Sequence, residues 1–171
     1  MYQDNTQRRT GSGAAASAVP AAEQAPGDHR LIIESRFGTL AIAPENGVKF
    51  PEGLLGFGEF HGYAVADLPD QRYPQLKVLQ CLDDHQLSFL VLPLEPEAGV
   101  IMRDDIAEAC DALSIEVGDL AILLIVTVRK TSEGVAVSAN LRAPLMIDSI
   151  SRTGAQYVLP NDRYPLRYAL S

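Results

Sequence analysis

The amino-acid sequence predicts a mainly β single domain, a small barrel or sandwich interrupted by one short helix. Three observations predict it. Short β-prone runs recur at close spacing from Leu31 onward, with Gly- and Pro-bearing turns between them. One longer run, Leu120 to Arg129, is apolar on both alternating faces, as a strand covered on both sides must be. A single stretch, Asp104 to Leu113, switches to helical spacing. The 171 residues suit one domain, and 47% apolar with 21% charged residues is an ordinary globular balance. A body of this size buries roughly 68–70% of its unfolded surface, enough for a core without disulfide or metal staples.

Taken in order, residues 1–29 read as a disordered tail. They hold seven alanines, three glycines and two prolines, with Tyr2 the only aromatic, so little apolar area offsets the entropy of ordering. Arg8-Arg9 before the small-residue stretch 11–22 imitates a twin-arginine export signal. Val19 is the only larger aliphatic there and Pro20 interrupts it, so the chain is expected to stay in the cytoplasm. Order is expected from Arg30, giving a body over 30–171.

Within that body, Leu31–Ile33 and Thr39–Ile42 pair across a turn at Phe37-Gly38. Val48–Phe50 halts at Pro51, which cannot donate to a central ladder. Tyr63–Ala66, Leu76–Gln80 and Leu87–Leu92 are further strands. In the long run, Leu120, Ile122, Leu124, Val126 and Val128 face one way and Ala121, Leu123 and Ile125 the other. Ser132-Glu133-Gly134 turns the chain into Val135–Val137. Leu145–Ile150 and Gln156–Leu159 form a hairpin across Arg152-Thr153-Gly154. The helix places Ile106, Ala109, Cys110 and Leu113 on one face, opposite Asp104, Asp105, Glu108 and Asp111. Its first two carboxylates suit the positive end of the helix dipole. Tyr164–Arg167 closes the chain as an anchored extended segment.

Charge narrows the function classes. The net charge is −8, and the 14 Lys and Arg are scattered, which disfavours direct binding to a nucleic-acid backbone or a polybasic hold on membranes. The longest apolar run, Leu120–Val126, is far short of the roughly 18 residues that would span a bilayer. Two cysteines, Cys81 and Cys110, make neither a disulfide framework nor a CxxC zinc site. No glycine pattern fits a dinucleotide or phosphate cradle, and no cofactor or metal is expected.

Three stretches could carry function. Cys81-Leu82-Asp83-Asp84-His85 gathers a thiol, two carboxylates and an imidazole, the parts of a small thiol-dependent hydrolase. No third group orients them, so a strand end with a tight aspartate turn is the favoured reading. Phe50-Pro51-Glu52-Gly53-Leu54-Leu55-Gly56-Phe57 is too apolar for an ordinary loop and must fold inward or dock a partner. Asn140-Leu141-Arg142-Ala143-Pro144 is a strand junction whose polar side chains serve equally as a clamp or a contact surface. A barrel binding a small ligand is a further alternative, though the chain has no Trp for a sugar platform.

These blocks, taken with Arg36–Leu40, Leu79–Asp84, Leu87–Val91 and Arg163–Arg167, resemble the flagellar assembly factor FliW family in order and spacing, from about Ile33 to Leu170. The resemblance implies a small β-barrel-like fold and a cytoplasmic, non-enzymatic, chaperone-like protein. It implies two partners, flagellin before its export and the translational regulator CsrA. Flagellin that accumulates would occupy the protein and leave CsrA free to repress. Export would release the protein to bind CsrA and relieve repression allosterically, without contact to the message. The motif residues singled out for partner binding are Phe50, Leu54, Leu55, Phe57, Asn140 and Arg142.

Overall fold

A computed structural model describes residues 29–170. The tail expected over 1–29 therefore lies, apart from His29, outside the described residues. The first element is a hairpin of β1 (Leu31–Ser35) and β2 (Gly38–Ile42), turning through Gly38 at φ +104°. It forms a separate two-stranded sheet.

Nine further strands make one sheet: β3 (Gly47–Lys49), β4 (Gly62–Asp67), β5 (Lys77–Cys81), β6 (Ser88–Leu94), β7 (Leu120–Thr131), β8 (Gly134–Ala139), β9 (Leu145–Asp148), β10 (Thr153–Gln156) and β11 (Tyr168–Leu170). The long β7 makes the sheet close. One of its edges pairs with β6; the other pairs with β9 over Leu120–Leu123 and with β8 over Val126–Thr131. From β9 the order runs through β10, β3, β4, β5 and β6 back to β7, a seven-strand ring. Only the β3–β10 contact is parallel, through Lys49 and Thr153. Strands β8 and β11 extend beyond the ring as a wing.

Burial follows this closure. Ring strands share one inward cluster of Phe50, Tyr63, Leu79, Cys81, Val91, Leu123, Leu145 and Ile147. Ile122, Leu124, Val126 and Met146 point outward into a second cluster, covered by α1 (Arg103–Leu113) and by Leu159 and Tyr164 of the C-terminal segment. The hairpin covers a third, where Ile33, Leu40 and Ile42 meet Ala64, Ala66 and Val78. Helix α1 buries Ile106, Ala109 and Cys110, as its spacing predicts, and Leu113 packs half-buried beside them. It ends at Ser114, which adopts left-handed geometry at φ 57°.

Four expectations are corrected. The β9–β10 turn spans 149–152, with Arg152 at φ +55°, so β10 starts at Thr153 and ends where a strand was expected to begin. Asp148 sets that turn: its carboxylate accepts from the Ile150 and Ser151 N–H groups and the Ser151 hydroxyl. Strand β6 runs on through Pro93, which pairs with Leu123. In β7 the double coverage stops at Val126, and Val128 is 48% exposed because it has passed from the ring onto the wing. The C-terminal segment also ends in a strand, β11, paired with β8.

Candidate functional site

The Phe50–Phe57 loop splits into an anchor and a tip. Phe50 is fully buried, edge-on to Tyr63 with ring centroids 5.5 Å apart. Leu54 is 2% exposed and bridges to Phe57, whose N–H donates to the Leu54 carbonyl. Phe57 is half-buried, edge-on to Phe89 at 5.3 Å. Leu55, at the tip, is 60% exposed. Gly53 makes the fold-back feasible. It sits at φ +66°, and a Cβ there would lie 2.6 Å from Gly58 Cα and from the Phe57 carbonyl oxygen.

Two motifs far apart in sequence meet through a residue that neither contains. The Leu55 N–H donates to Gln156 Oε1 at 2.9 Å, and Gln156 Nε2 donates to the Ala143 carbonyl at 3.2 Å. Gln156 thus joins the loop tip to the strand junction. Sequence reading missed it because a lone Gln at a strand end carries no spacing signal. At the junction, Asn140 Oδ1 accepts from the Ala143 N–H. The Arg142 guanidinium donates to the Asn161 carbonyl and to Asp162, each at 2.9 Å. Both side chains serve as clamps on local backbone and on the C-terminal segment. Of the six motif residues, Leu55 and the open edge of Phe57 present apolar surface; Phe50 and Leu54 face the core.

The Cys81–His85 stretch is a turn. Cys81 is fully buried, and its Sγ accepts from the Asp84 N–H at 3.4 Å, while His85 is exposed. Asp83 Oδ2 receives the N–H groups of His61 and Gly62, fixing the start of β4. Asp84 Oδ1 caps the Gln86 N–H. Beneath the turn, the buried Gln80 amide donates to the carbonyls of Cys81, His85 and Leu87. No hydrogen bond joins thiol and imidazole among the described residues, and no cluster of three or more His, Cys, Asp or Glu there could hold a metal. Burial pushes the other thiol, Cys110, upward in pKa, with Asp111 and Glu116 adding to the shift.

A second feature was not legible in the motifs. An apolar groove of about 920 Å³ lies over the outer face of β6, β7, β8 and β11, walled by Phe37, Leu68 and Tyr73. Its only warning in the sequence was the apolar alternation Val126-Thr127-Val128 continuing past the turn into Val135 and Val137.

Comparison with known proteins gives this geometry a family. The family model described as FliW protein matches residues 31–170. The chain belongs to the FliW family. Among relatives named flagellar assembly factor FliW, that of Syntrophus aciditrophicus (strain SB) is 34% identical over 140 residues, covering 80% of this chain and 85% of the relative. That of Desulfitobacterium hafniense (strain Y51) is also 34% identical, over 143 residues, covering 81% and 90%. A crystal structure of the flagellar assembly factor FliW superposes with a TM-score of 0.61 at 24% identity, covering 83% of this chain and 96% of that one, which supports the mainly β fold. The FliW match thus takes in both motif loops and every strand described above. FliW relatives are named for assembly rather than for a reaction. No helix among the described residues is long and apolar enough to cross a membrane.

Proposed function

We propose that this protein is a cytoplasmic flagellar assembly factor that binds flagellin before export and, when released, binds CsrA and antagonises it allosterically. The observation that carries the reading is the FliW match across 31–170, the whole of the described body from β1 to β11. Its geometry supports a binding role. A ring cross-packed on both faces holds surface features fixed, and the motif loop offers Leu55 and the edge of Phe57 from a base anchored by Phe50, Leu54 and Gln156. Such preorganisation lowers the ordering cost of association. Asn140 and Arg142 keep the neighbouring junction in register.

Coupling then follows from linkage. Flagellin and CsrA compete for the protein, so the free pool reports how much flagellin awaits export. The protein changes the RNA affinity of CsrA only by as much as it prefers one state of CsrA over the other. The acidic exterior suits a protein that acts on an RNA-binding partner without touching RNA.

The test mixes the purified protein with flagellin and, separately, with CsrA at micromolar concentration. Co-elution with each, and loss of CsrA from its RNA on adding the protein, are expected. Failure to co-elute with either partner overturns the reading.

A further inference from the structure

The apolar groove has no role in the motif site, and its charge surroundings suggest what it holds. We propose that it seats a helical partner segment with one apolar face flanked by carboxylates. This rests on the reading above, in which that segment belongs to flagellin.

The floor is built by cross-strand rows. Leu90, Val126, Ala139 and Tyr168 lie opposite one another across β6, β7, β8 and β11, and Val128, Val137 and Leu170 form the next row. Val126 and Ala139 are buried and Leu90, Val137 and Leu170 half-buried, whereas Val128, Val135, Tyr168 and Tyr73 are 48%, 65%, 44% and 47% exposed along the same groove. At about 920 Å³ the space is at the upper end of ordinary binding pockets, roughly 300–1,000 Å³. An open apolar trough of this kind takes the stripe of an amphipathic helix through anchors at i, i+3, i+4 and i+7.

Charge identifies the flanks. Between Glu95 and Asp119 the chain holds eight carboxylates against one cation, Arg103, and these sit around α1. The groove-forming segments reverse that balance. Residues 35–38, 68–76, 88–94, 126–139 and 167–170 carry Arg36, Arg72, Arg129, Lys130 and Arg167 against Asp70 and Glu133, although Arg129, opposite Ala136, lies on the face of β7 turned away from the groove. Asp70 on the groove wall and Arg72 neutralise each other at 2.7 Å, which leaves Arg36 and Lys130 as the cations placed at the groove. The Arg36 guanidinium lies 4.7 Å above the Phe37 ring on the groove wall, and Lys130 stands opposite Val135 in the β7–β8 ladder. In a chain of net charge −8, an apolar trough with Arg36 and Lys130 at its edge selects an acidic amphipathic segment.

Other parts of this chain fit poorly. The acidic helix α1 turns its apolar side into its own core. Residues 1–28 contain only Met1, Tyr2 and Val19 as apolar side chains larger than alanine or proline.

Titration calorimetry of the full chain with purified flagellin, and separately with CsrA, tests the proposal. Val135→Asp and Tyr73→Asp should each weaken flagellin binding by about tenfold or more, as anchor-site changes do. An Arg36→Glu/Lys130→Glu double variant, changed only at exposed positions, should weaken it too and flatten its salt dependence. Ile150→Asp, on the distant β9–β10 turn, should bind as wild type. All four should melt cooperatively close to wild type, and the double variant carries the test if an apolar-to-Asp change unfolds. Wild-type binding with unaffected groove variants overturns the groove and leaves the functional reading standing. Loss of CsrA binding alone assigns the groove to the other partner and overturns the proposal. A wild-type dimer that Val135→Asp makes monomeric gives the groove to a second copy and also overturns it. No binding of wild type to flagellin overturns both.

Discussion

Gly53 is a residue whose identity is dictated by two constraints at once. Its backbone is left-handed, and any Cβ would collide with the backbone of residues 57 and 58. Gly53→Ala should therefore cost about 2 kcal/mol or more, seen as a lower urea midpoint with unchanged slope. The sequence marked the loop as glycine-rich, but nothing in it separated Gly53 from Gly56, where a Cβ would meet open space. Tyr63 is a second such residue. Its ring packs in the core, yet its hydroxyl finds no hydrogen-bond partner among the described residues. Burial pushes its pKa up to about 12, with Cys81, Asp83 and Glu59 adding to the shift. A raised folded-state value means the neutral phenol's stabilisation is intact below the ordinary 10.0 and fades as pH climbs toward 12. Tyr63→Phe should be at least as stable as wild type at neutral pH, because no orphan hydroxyl remains buried, and should lose less stability in alkali. Denaturation curves at pH 7 and above pH 10 decide it; a clear neutral-pH loss would reveal a partner for the hydroxyl. Asp148 works in the opposite direction. Hydrogen bonds from the Ser151 hydroxyl and the Ile150 and Ser151 N–H groups hold its carboxyl below the usual range. Its contribution is present above the unfolded value and lost as pH falls through the depressed one. Asp148→Asn should thus be less stable than wild type at neutral pH, the two curves converging in acid.

Elements show where sequence patterns carry and where they stop. Helix α1 was legible because a 3.6-residue stripe needs no tertiary information, and the first seven residues of β7 were legible because only a doubly covered strand is apolar on both faces. The β9–β10 turn was misplaced because Arg152 takes a left-handed conformation that its side chain does not announce. The strap following β10 was read only as extended chain, since its fixings lie in other elements. Tyr164 donates its hydroxyl proton to Asp105 of α1 and accepts the Met102 N–H, while Arg142 holds Asn161 and Asp162. The Tyr164 hydroxyl ties the start of α1 to the strap, and burial with the Asp105 bond raises its pKa. Tyr164→Phe should remove both bonds and cost about 1–3 kcal/mol. Hydrogen exchange should speed at the Met102 amide and in the first turn of α1 while the ring strands stay protected. Equal protection in the variant would mean that packing alone seats the helix.

At the scale of the whole molecule, ring closure, uneven charge and the buried thiols bear on one question, whether this protein works by contact alone. A barrel-like body was expected from the sequence, but the device that closes it was not legible: it depends on β7 changing partner from β9 to β8 midway, a long-range choice that no local pattern encodes. The charge separation was in the sequence but took meaning only when the fold set acidic residues around α1 and brought Arg36 and Lys130 to the edge of the groove. A rigid body with two unlike faces can hold partners in exchange, and binding equilibria then impose a strict condition. If bound flagellin lowers the affinity for CsrA by some factor, bound CsrA must lower the affinity for flagellin by the same factor. Titrating each partner with and without a saturating amount of the other should return matching factors, and the flagellin arm should weaken with added salt as surface charges are screened. Throughout, Cys81 and Cys110 should react with an alkylating reagent only in denaturant, since both are buried in the native fold. A thiol modified quickly in the native protein, with loss of either partner, would mean that Cys81 has a chemical role and that contact alone does not explain the exchange.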